Sequence, residues 1–257
     1  MSELKAKLKD GGLVIGTMIS EIRNPNLTYM LAQCGFDFFI IDNEHGAYSP
    51  ETISNIIAAA RGAGISIVVR IPEIRREAIM KPLDLGAAGL LVPMVNTADQ
   101  AKEIMRYAKY PPMGERGVAL SRAHSSYGRP NAAEYLDQAN QATFIAVQAE
   151  SPQAIENLES IASTPGVDAI FVGPADLSVG MGIPGQITHP REVEAIEKVI
   201  AICHKYDVVP GIHMSKLETL KGWIRQGMQF VTFSSDVDLL ARAAQESLVQ
   251  LRKAQPG

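Results

Sequence analysis

The chain has 257 residues, a length open to one large domain or two small ones, and its 46% hydrophobic and 20% charged residues are enough for a full core, which excludes disorder. A net charge of -4 leaves no basic footprint for nucleic acid or an anionic membrane, so small molecules are the expected partners. No stretch reaches the ~18 apolar residues of a membrane span, and the opening MSELKAKLKDGG has no apolar signal core, so a cytoplasmic location is expected.

Along the chain, short apolar runs alternate with segments of helical spacing, the pattern of parallel βαβ units. The first runs are LVIGTM (13–18) and DFFIID (37–42). The helix-like SPETISNIIAAARGAG follows, with Ser49 as its cap, Pro50 at its first position, and Gly62 and Gly64 to end it. Then come SIVVRI (66–71), GLLVPM (89–94) and TFIAVQA (143–149), the helical SPQAIENLESIASTPG, and AIFVG (169–173). The helical HPREVEAIEKVIAICHKY separates that run from VVPGI (208–212) and FVTFSS (230–235). Eight near-continuous apolar strands fit a closed (β/α)8 TIM barrel, a single domain over 1–257, better than an open doubly wound sheet. The open sheet would often show a Gly-rich first turn, which GTMISE is not. Cys34 and Cys203 lack any paired spacing, so no disulfide framework or zinc site is expected, and both read as buried small residues.

In such a barrel the active site lies at the C-terminal strand ends, and the residues there are chemically dense. Strand two ends in Asp42, Glu44 and His45, strand three in Arg70, and strand five in Gln148 and Glu150. GPADLS after strand six holds Asp176, strand seven is followed by His213, and strand eight ends in Ser234, Ser235 and Asp236. Glu150 and Asp176 come from adjacent strands, and two converging carboxylates repel, share a proton or bind a cation. Hard oxygen ligands favour Mg2+ or Mn2+; the alternative is that Glu150 caps the next helix and Asp176 starts a turn. Arg70, ending an apolar strand, needs an anion: a substrate carboxylate, an enolate oxygen, or a structural partner among Asp42, Glu44 and Glu73. His45 is the natural general base, and Asp84, just before strand four, is a candidate to orient it. His124, His189, His204 and His213 carry no functional claim beyond the strand-end position of the last. A Schiff-base aldolase is disfavoured because no strand end carries a lysine, Lys216 lying four residues beyond strand seven. A phosphate site after strands seven and eight is disfavoured because the glycines it needs are scarce there.

The segments FDFFIIDNEH, VVRIPE, KPLDLGAAGLLVPMV, YPPMGERGVALSRA, VQAESPQAIENL and GVDAIFVGPADLSVGMG carry a resemblance along essentially the whole chain. It resembles the HpcH/HpaI aldolases, metal-dependent class II enzymes acting on pyruvate. The resemblance implies a (β/α)8 barrel forming a homohexamer, typically with the C-terminal helix exchanged between subunits. It implies Mg2+, Mn2+ or Co2+ held by Glu150 and Asp176, and no organic cofactor. Arg70 looks like the residue that binds the keto or enolate oxygen, Gln148 a contact to the 2-oxo acid, and the amides around Ala175 and Asp176 the binders of its carboxylate. His45 with Asp84 looks like the dyad acting through a metal-bound water on the aldol hydroxyl. Asp42 and Glu44 are expected to shape the surrounding field. The implied reaction is reversible cleavage of a 4-hydroxy-2-oxo acid into pyruvate and an aldehyde. A related pyruvate-barrel lyase acting on an acyl-CoA ester, an oxaloacetate decarboxylase, and a non-catalytic binding barrel are the alternatives. The chain departs from relatives at SRAHSSYGRP, where some read Ser-Arg-Trp, and at Asn43, often Gly; the first leaves the aldehyde open. VGMGIPGQITHP after strand six reads as an ordinary long connection or a cover for the site.

Overall fold

A computed structural model describes residues 3–254. Eight parallel strands close into one barrel in sequence order: β1 Val14–Ile19, β2 Phe38–Asp42, β3 Ser66–Arg70, β4 Gly89–Val92, β5 Phe144–Ala149, β6 Ala169–Val172, β7 Val209–Met214 and β8 Phe230–Ser235. The expected barrel is therefore present, and the open sheet is not. Every residue of β2, β4, β5 and β6 is buried, as strands covered on both faces must be.

Alternation along the strands sorts the core into two layers. Ile41, Val69, Val92, Val147, Val172, Ile212 and Val231 face outward to the helices. Phe38, Ile40, Val68, Leu91, Phe144, Phe171 and Phe230 fill the interior. Phe38 stacks on Phe230 at 4.6 Å between ring centroids, and Phe144 and Phe171 meet Phe230 edge-on at 5.0 and 5.5 Å, forming an aromatic floor. The short helix α1 (Glu3–Lys9) adds Leu4 and Leu8 to this inner cluster and closes the N-terminal end of the barrel.

Helix signals were legible where capping chemistry is strong. In α3 (Pro50–Ala63), Ser49 accepts the Thr52 amide, Pro50 occupies the first turn and Gly64 closes the helix at φ 68°. The single helix expected after β5 is instead two, α7 (Pro152–Glu156) and α8 (Leu158–Ala162), broken at Asn157, whose side-chain amide donates to the Asn96 carbonyl at 2.8 Å. Strand seven begins one residue later than expected and runs two further, to Met214, because its ladder with β8 continues through His213 and Met214, with Pro210 inside the strand. Cys203 is buried, but Cys34 is exposed: the helix before it, Leu27–Gln33, ends there, and the chain turns away through Gly35 at φ 88°.

Candidate active site

Above the aromatic floor, the next inward positions of the strands change from apolar to polar. Asp42, Arg70, Gln148 and His213 line a cavity of about 320 Å3 at the C-terminal mouth, with Met18, Leu91 and Phe171 as its apolar wall and Asp176 at its rim. The strand ends thus gather most of the candidate residues around one space.

Arg70 and Asp42 are partners in the ladder between β2 and β3. Arg70 Nε donates to Asp42 Oδ1 at 2.9 Å and Nη2 to Oδ2 at 2.7 Å, while Nη1 lies 3.1 Å from Glu44 Oε2. Asp42 Oδ1 also accepts the amides of Glu44 and His45 at 3.1 and 3.2 Å. Burial alone would raise the Asp42 carboxyl, but the Arg70 hydrogen bonds and charge, with those two amides, hold it below its ordinary value. For Glu44 the balance is reversed, and burial raises its carboxyl despite Arg70. The arginine is therefore both the expected structural ion pair and a wall of the cavity; Glu73 pairs with Arg75 instead.

Beyond β5, Glu150 is almost fully buried, and its Oε1 accepts the Met94 amide at 2.8 Å. Met94 adopts φ 53°, an uncommon region for a non-glycine residue, directly beyond β4. Glu150 Oε2 accepts from Gln148 Nε2, and Gln148 Oε1 is buried without a partner. Burial pushes the Glu150 carboxyl up to about 7; the Met94 amide opposes this, and the charges of Asp176 and Glu44 add to it. Gly173 makes the arrangement fit, since a Cβ there would lie 2.5 Å from Glu150 Oε2 and 2.8 Å from Gln148 Nε2. Neither bland alternative holds: Ser151, not Glu150, caps α7, and Asp176 lies in the first turn of a helix, α9 (Pro174–Gly180). Ala175 lies beside Asp176 in that turn, on the cavity wall.

Two expectations are placed differently. Asp84 does not meet His45 within the chain. It lies at the end of α4 (Arg76–Leu85), toward the N-terminal face of the barrel, where Arg116 Nη2 pairs with it at 2.6 Å. His45 stands at the opposite face, largely exposed, with Glu44 Oε2 3.8 Å from its Nε2. Asp236, read as a mouth residue, is a brace: Oδ1 accepts the Ser20 amide at 3.0 Å, and Oδ2 accepts those of Glu21 and Ile22 at 3.1 and 2.8 Å. Met18 and Thr232 were missed, although counting inward by twos from Val14 and Phe230 reaches both.

The donor set suits a hard cation. Asp42, Glu44, Glu150 and Asp176 are set against Arg70, an excess of anionic oxygen, and the orphaned Gln148 Oε1 adds a neutral one. Among the described residues, no three or more His, Cys, Asp or Glu side chains form a ready cage. Glu150 and Asp176 would thus hold an ion whose remaining positions fall to water and substrate, as is usual for Mg2+.

The sequence profile of a family described as HpcH/HpaI aldolase/citrate lyase matches residues 17–243. A 4-hydroxy-2-oxo-heptane-1,7-dioate aldolase of Escherichia coli is 38% identical over 246 residues, 95% of this chain and 92% of that protein. A 5-keto-4-deoxy-D-glucarate aldolase of Klebsiella pneumoniae is 34% identical over 245 residues, 95% of this chain and 94% of that one. The crystal structure of an HpcH/HpaI aldolase from Desulfitobacterium hafniense superposes with a TM-score of 0.95 at 38% identity, covering 100% of this chain and 99% of that one.

Proposed function

Since the chain belongs to the HpcH/HpaI aldolase/citrate lyase family, we propose that it is a divalent-metal-dependent aldolase that reversibly cleaves a 4-hydroxy-2-oxo acid into pyruvate and an aldehyde. The observation that carries this reading is the convergence of Arg70, Gln148 and Asp176 on one cavity, with buried Glu150 hydrogen-bonded to Gln148.

Glu150 and Asp176 hold the cation, Mg2+, Mn2+ or Co2+, which when bound supplies Lewis acidity toward the 2-oxo acid and offsets the surplus of carboxylates. Arg70, aimed by Asp42 and Glu44, places fixed positive charge where the enolate oxygen develops as the C3–C4 bond breaks. Gln148 contacts the 2-oxo acid, and the first-turn amides of Ala175 and Asp176, which have no place in the helix ladder, bind its carboxylate. His45, exposed at the rim, takes the C4 hydroxyl proton through water, and the departing fragment leaves as the aldehyde. Asp84 is engaged by Arg116 in its own chain, so its expected pairing with His45 would have to be made between neighbouring copies.

An assembly is supported by the last helix, α12 (Asp236–Lys253), in which Asp236 alone is buried. Leu240, Leu248, Val249 and Leu251 are each at least half exposed along it, an apolar surface that exchange of this helix between subunits of a homohexamer would cover. No described helix is long and apolar enough to cross a membrane.

The deciding experiment supplies each metal in turn and follows pyruvate release from a panel of 4-hydroxy-2-oxo acids with a coupled assay. Release from at least one is expected, and silence across the panel would sink the reading.

A further inference from the structure

β7 carries an imidazole into the cavity wall that none of these roles uses. Ile212 and Met214 point into the outer core, and His213 between them points inward, above Gly211. It is the ladder partner of Thr232 on β8. Its Nδ1 lies 2.9 Å from Thr232 Oγ1, and Thr232 is completely buried, so the ring is clamped from one side. Nε2 has no partner among the described residues.

The ring is also held uncharged. Burial pushes His213 down to about 4, the charge of Arg70 pushes the same way, and Asp238 and Asp42 oppose it weakly. At neutral pH it therefore offers one hydrogen bond and no charge, a poor partner for a carboxylate beside Arg70 and a good one for a hydroxyl. Its place in the ring of strands says which hydroxyl. β3 and β7 stand four apart among eight, so Arg70 and His213 face each other across the mouth. With the keto oxygen at Arg70 and the metal-binding carboxylates just after β5 and after β6, the carbon chain beyond C3 extends toward β7. Met18 and Phe171 on that side offer it no hydrogen bond, and of the two serines that also line the cavity, Ser20 donates its hydroxyl to Asp236 and Ser235 accepts the Asp238 amide.

Resting on the aldolase reading above, we propose that His213 is a specificity-determining residue, whose Nε2 hydrogen-bonds a hydroxyl on the aldehyde carbon next to the carbonyl and so selects 2-hydroxyaldehydes over alkyl ones. An apolar substituent there would strand Nε2 away from water, a penalty that a hydroxyl avoids.

The test uses glycolaldehyde and propanal, which differ at that position by hydroxyl against methyl, each condensed with pyruvate by the metal-supplemented enzyme. The ratio of kcat/KM for glycolaldehyde to that for propanal is compared between wild type, His213→Leu and His213→Gln. The leucine variant should lower this ratio about tenfold or more, and glutamine should restore part of it. An unchanged ratio in the leucine variant overturns the assignment and leaves His213 as a clamp for Thr232. Should the leucine variant fail to fold, the 15N resonance of His213 Nε2 in wild type with pyruvate present decides. A shift with glycolaldehyde and none with propanal supports the proposal, and equal behaviour overturns it. Wild-type exchange of the pyruvate methyl protons in D2O, with metal and no aldehyde, separates the two levels. Exchange with an unchanged ratio defeats only the role of His213, whereas neither exchange nor condensation defeats the aldolase reading and this assignment with it.

Discussion

Asp42 grips Arg70 through two parallel hydrogen bonds of 2.9 and 2.7 Å between neighbouring strands, and both side chains are almost wholly buried. Such a fork fixes the plane of the guanidinium before any substrate arrives, which is the form of preorganisation that electrostatic catalysis needs. Arg70→Ala should abolish cleavage and, by leaving Asp42 buried and unpaired, destabilise the fold by about 3–5 kcal/mol. Arg70→Lys keeps the charge but loses the fork, so its kcat/KM should fall by about a hundredfold with a smaller loss of stability. Steady-state kinetics and urea unfolding on the same preparations separate the two effects; a fully active lysine variant would show that the planar geometry is irrelevant.

The same pair predicts acid sensitivity. Asp42 titrates below its ordinary value of 3.8 in the fold, so its contribution to stability is present above that value and is lost as pH falls through the lower, folded value. Asp42→Asn should therefore be less stable than wild type at neutral pH, with the gap closing as the solution is acidified below about 4. A gap that stays constant down to pH 2 would assign the loss to packing instead of charge.

Glu150 and His45 should part company in metal binding. Glu150→Ala should remove the calorimetric signal for Mn2+ along with cleavage, because it deletes one of the two anionic ligands proposed above. His45→Ala should bind Mn2+ nearly as wild type does and lose only the proton-transfer contribution, about a hundredfold or more in kcat. Loss of Mn2+ binding in the His45 variant would make that imidazole a ligand. Chelation should stop turnover without melting the barrel, whose strand ladder closes through backbone hydrogen bonds and apolar layers.

Gly173→Ala offers a more local probe. The added methyl would meet Glu150 Oε2 at 2.5 Å and Gln148 Nε2 at 2.8 Å, so the buried carboxylate has to move. Weaker Mn2+ affinity and at least a tenfold fall in kcat/KM are expected, with far-ultraviolet circular dichroism unchanged. Normal metal affinity in this variant would mean that the Glu150 position tolerates displacement and is not a ligand.

What could be read from the chain alone follows from where information is local. The run from Phe38 to Asp42 announces a strand buried on both faces, and the polar residues after it must then lie at the mouth. Arg70 and Glu150 were legible for the same reason. Asp84 lies away from His45 within the chain, because nearness to β4 in sequence does not say which face of the barrel a residue joins. A residue just before a parallel strand belongs to the opposite face from one just after it, and there Arg116, from the long excursion between α5 (Ala98–Ala108) and β5, takes it. The part of that excursion before the helix Ala132–Ala142 has no regular pattern, so the burial of Lys109, Tyr110 and Arg116 was not legible. His213 was legible only as a strand-end residue, because the ladder to Thr232 that aims the ring is a tertiary fact. Asp236 looked like chemistry because strand-end acids often are, but its backbone partners are set by the closure of β8 on β1.

Lys109 gives a prediction of the same sign as that of Asp42, at the alkaline end of the pH range and with burial, not an ion pair, as its cause. It is 1% exposed, and its Nζ donates to the carbonyls of Asn140 and Thr143 at 2.7 and 2.8 Å, with no carboxylate among those contacts. Burial, followed by the charge of Lys5, depresses it from 10.5 to about 8, against the pull of Asp168. Between those values the unfolded chain binds the proton and the folded chain has released it, so unfolding takes up a proton and stability rises with pH. The rise should be confined to the window from about pH 8 to about 10.5 and amount to about 3 kcal/mol at most, since one proton taken up contributes roughly 1.4 kcal/mol for each pH unit crossed. Lys109→Met keeps the stem and removes the charge; it takes the side-chain donor from the Asn140 carbonyl and leaves that of Thr143 to Lys5 alone, so it lowers stability overall, but its profile across that window should be flat where that of wild type climbs. Urea unfolding at half-unit steps from pH 7.5 to 10.5 measures both curves, and parallel curves would show that the lysine keeps its proton throughout.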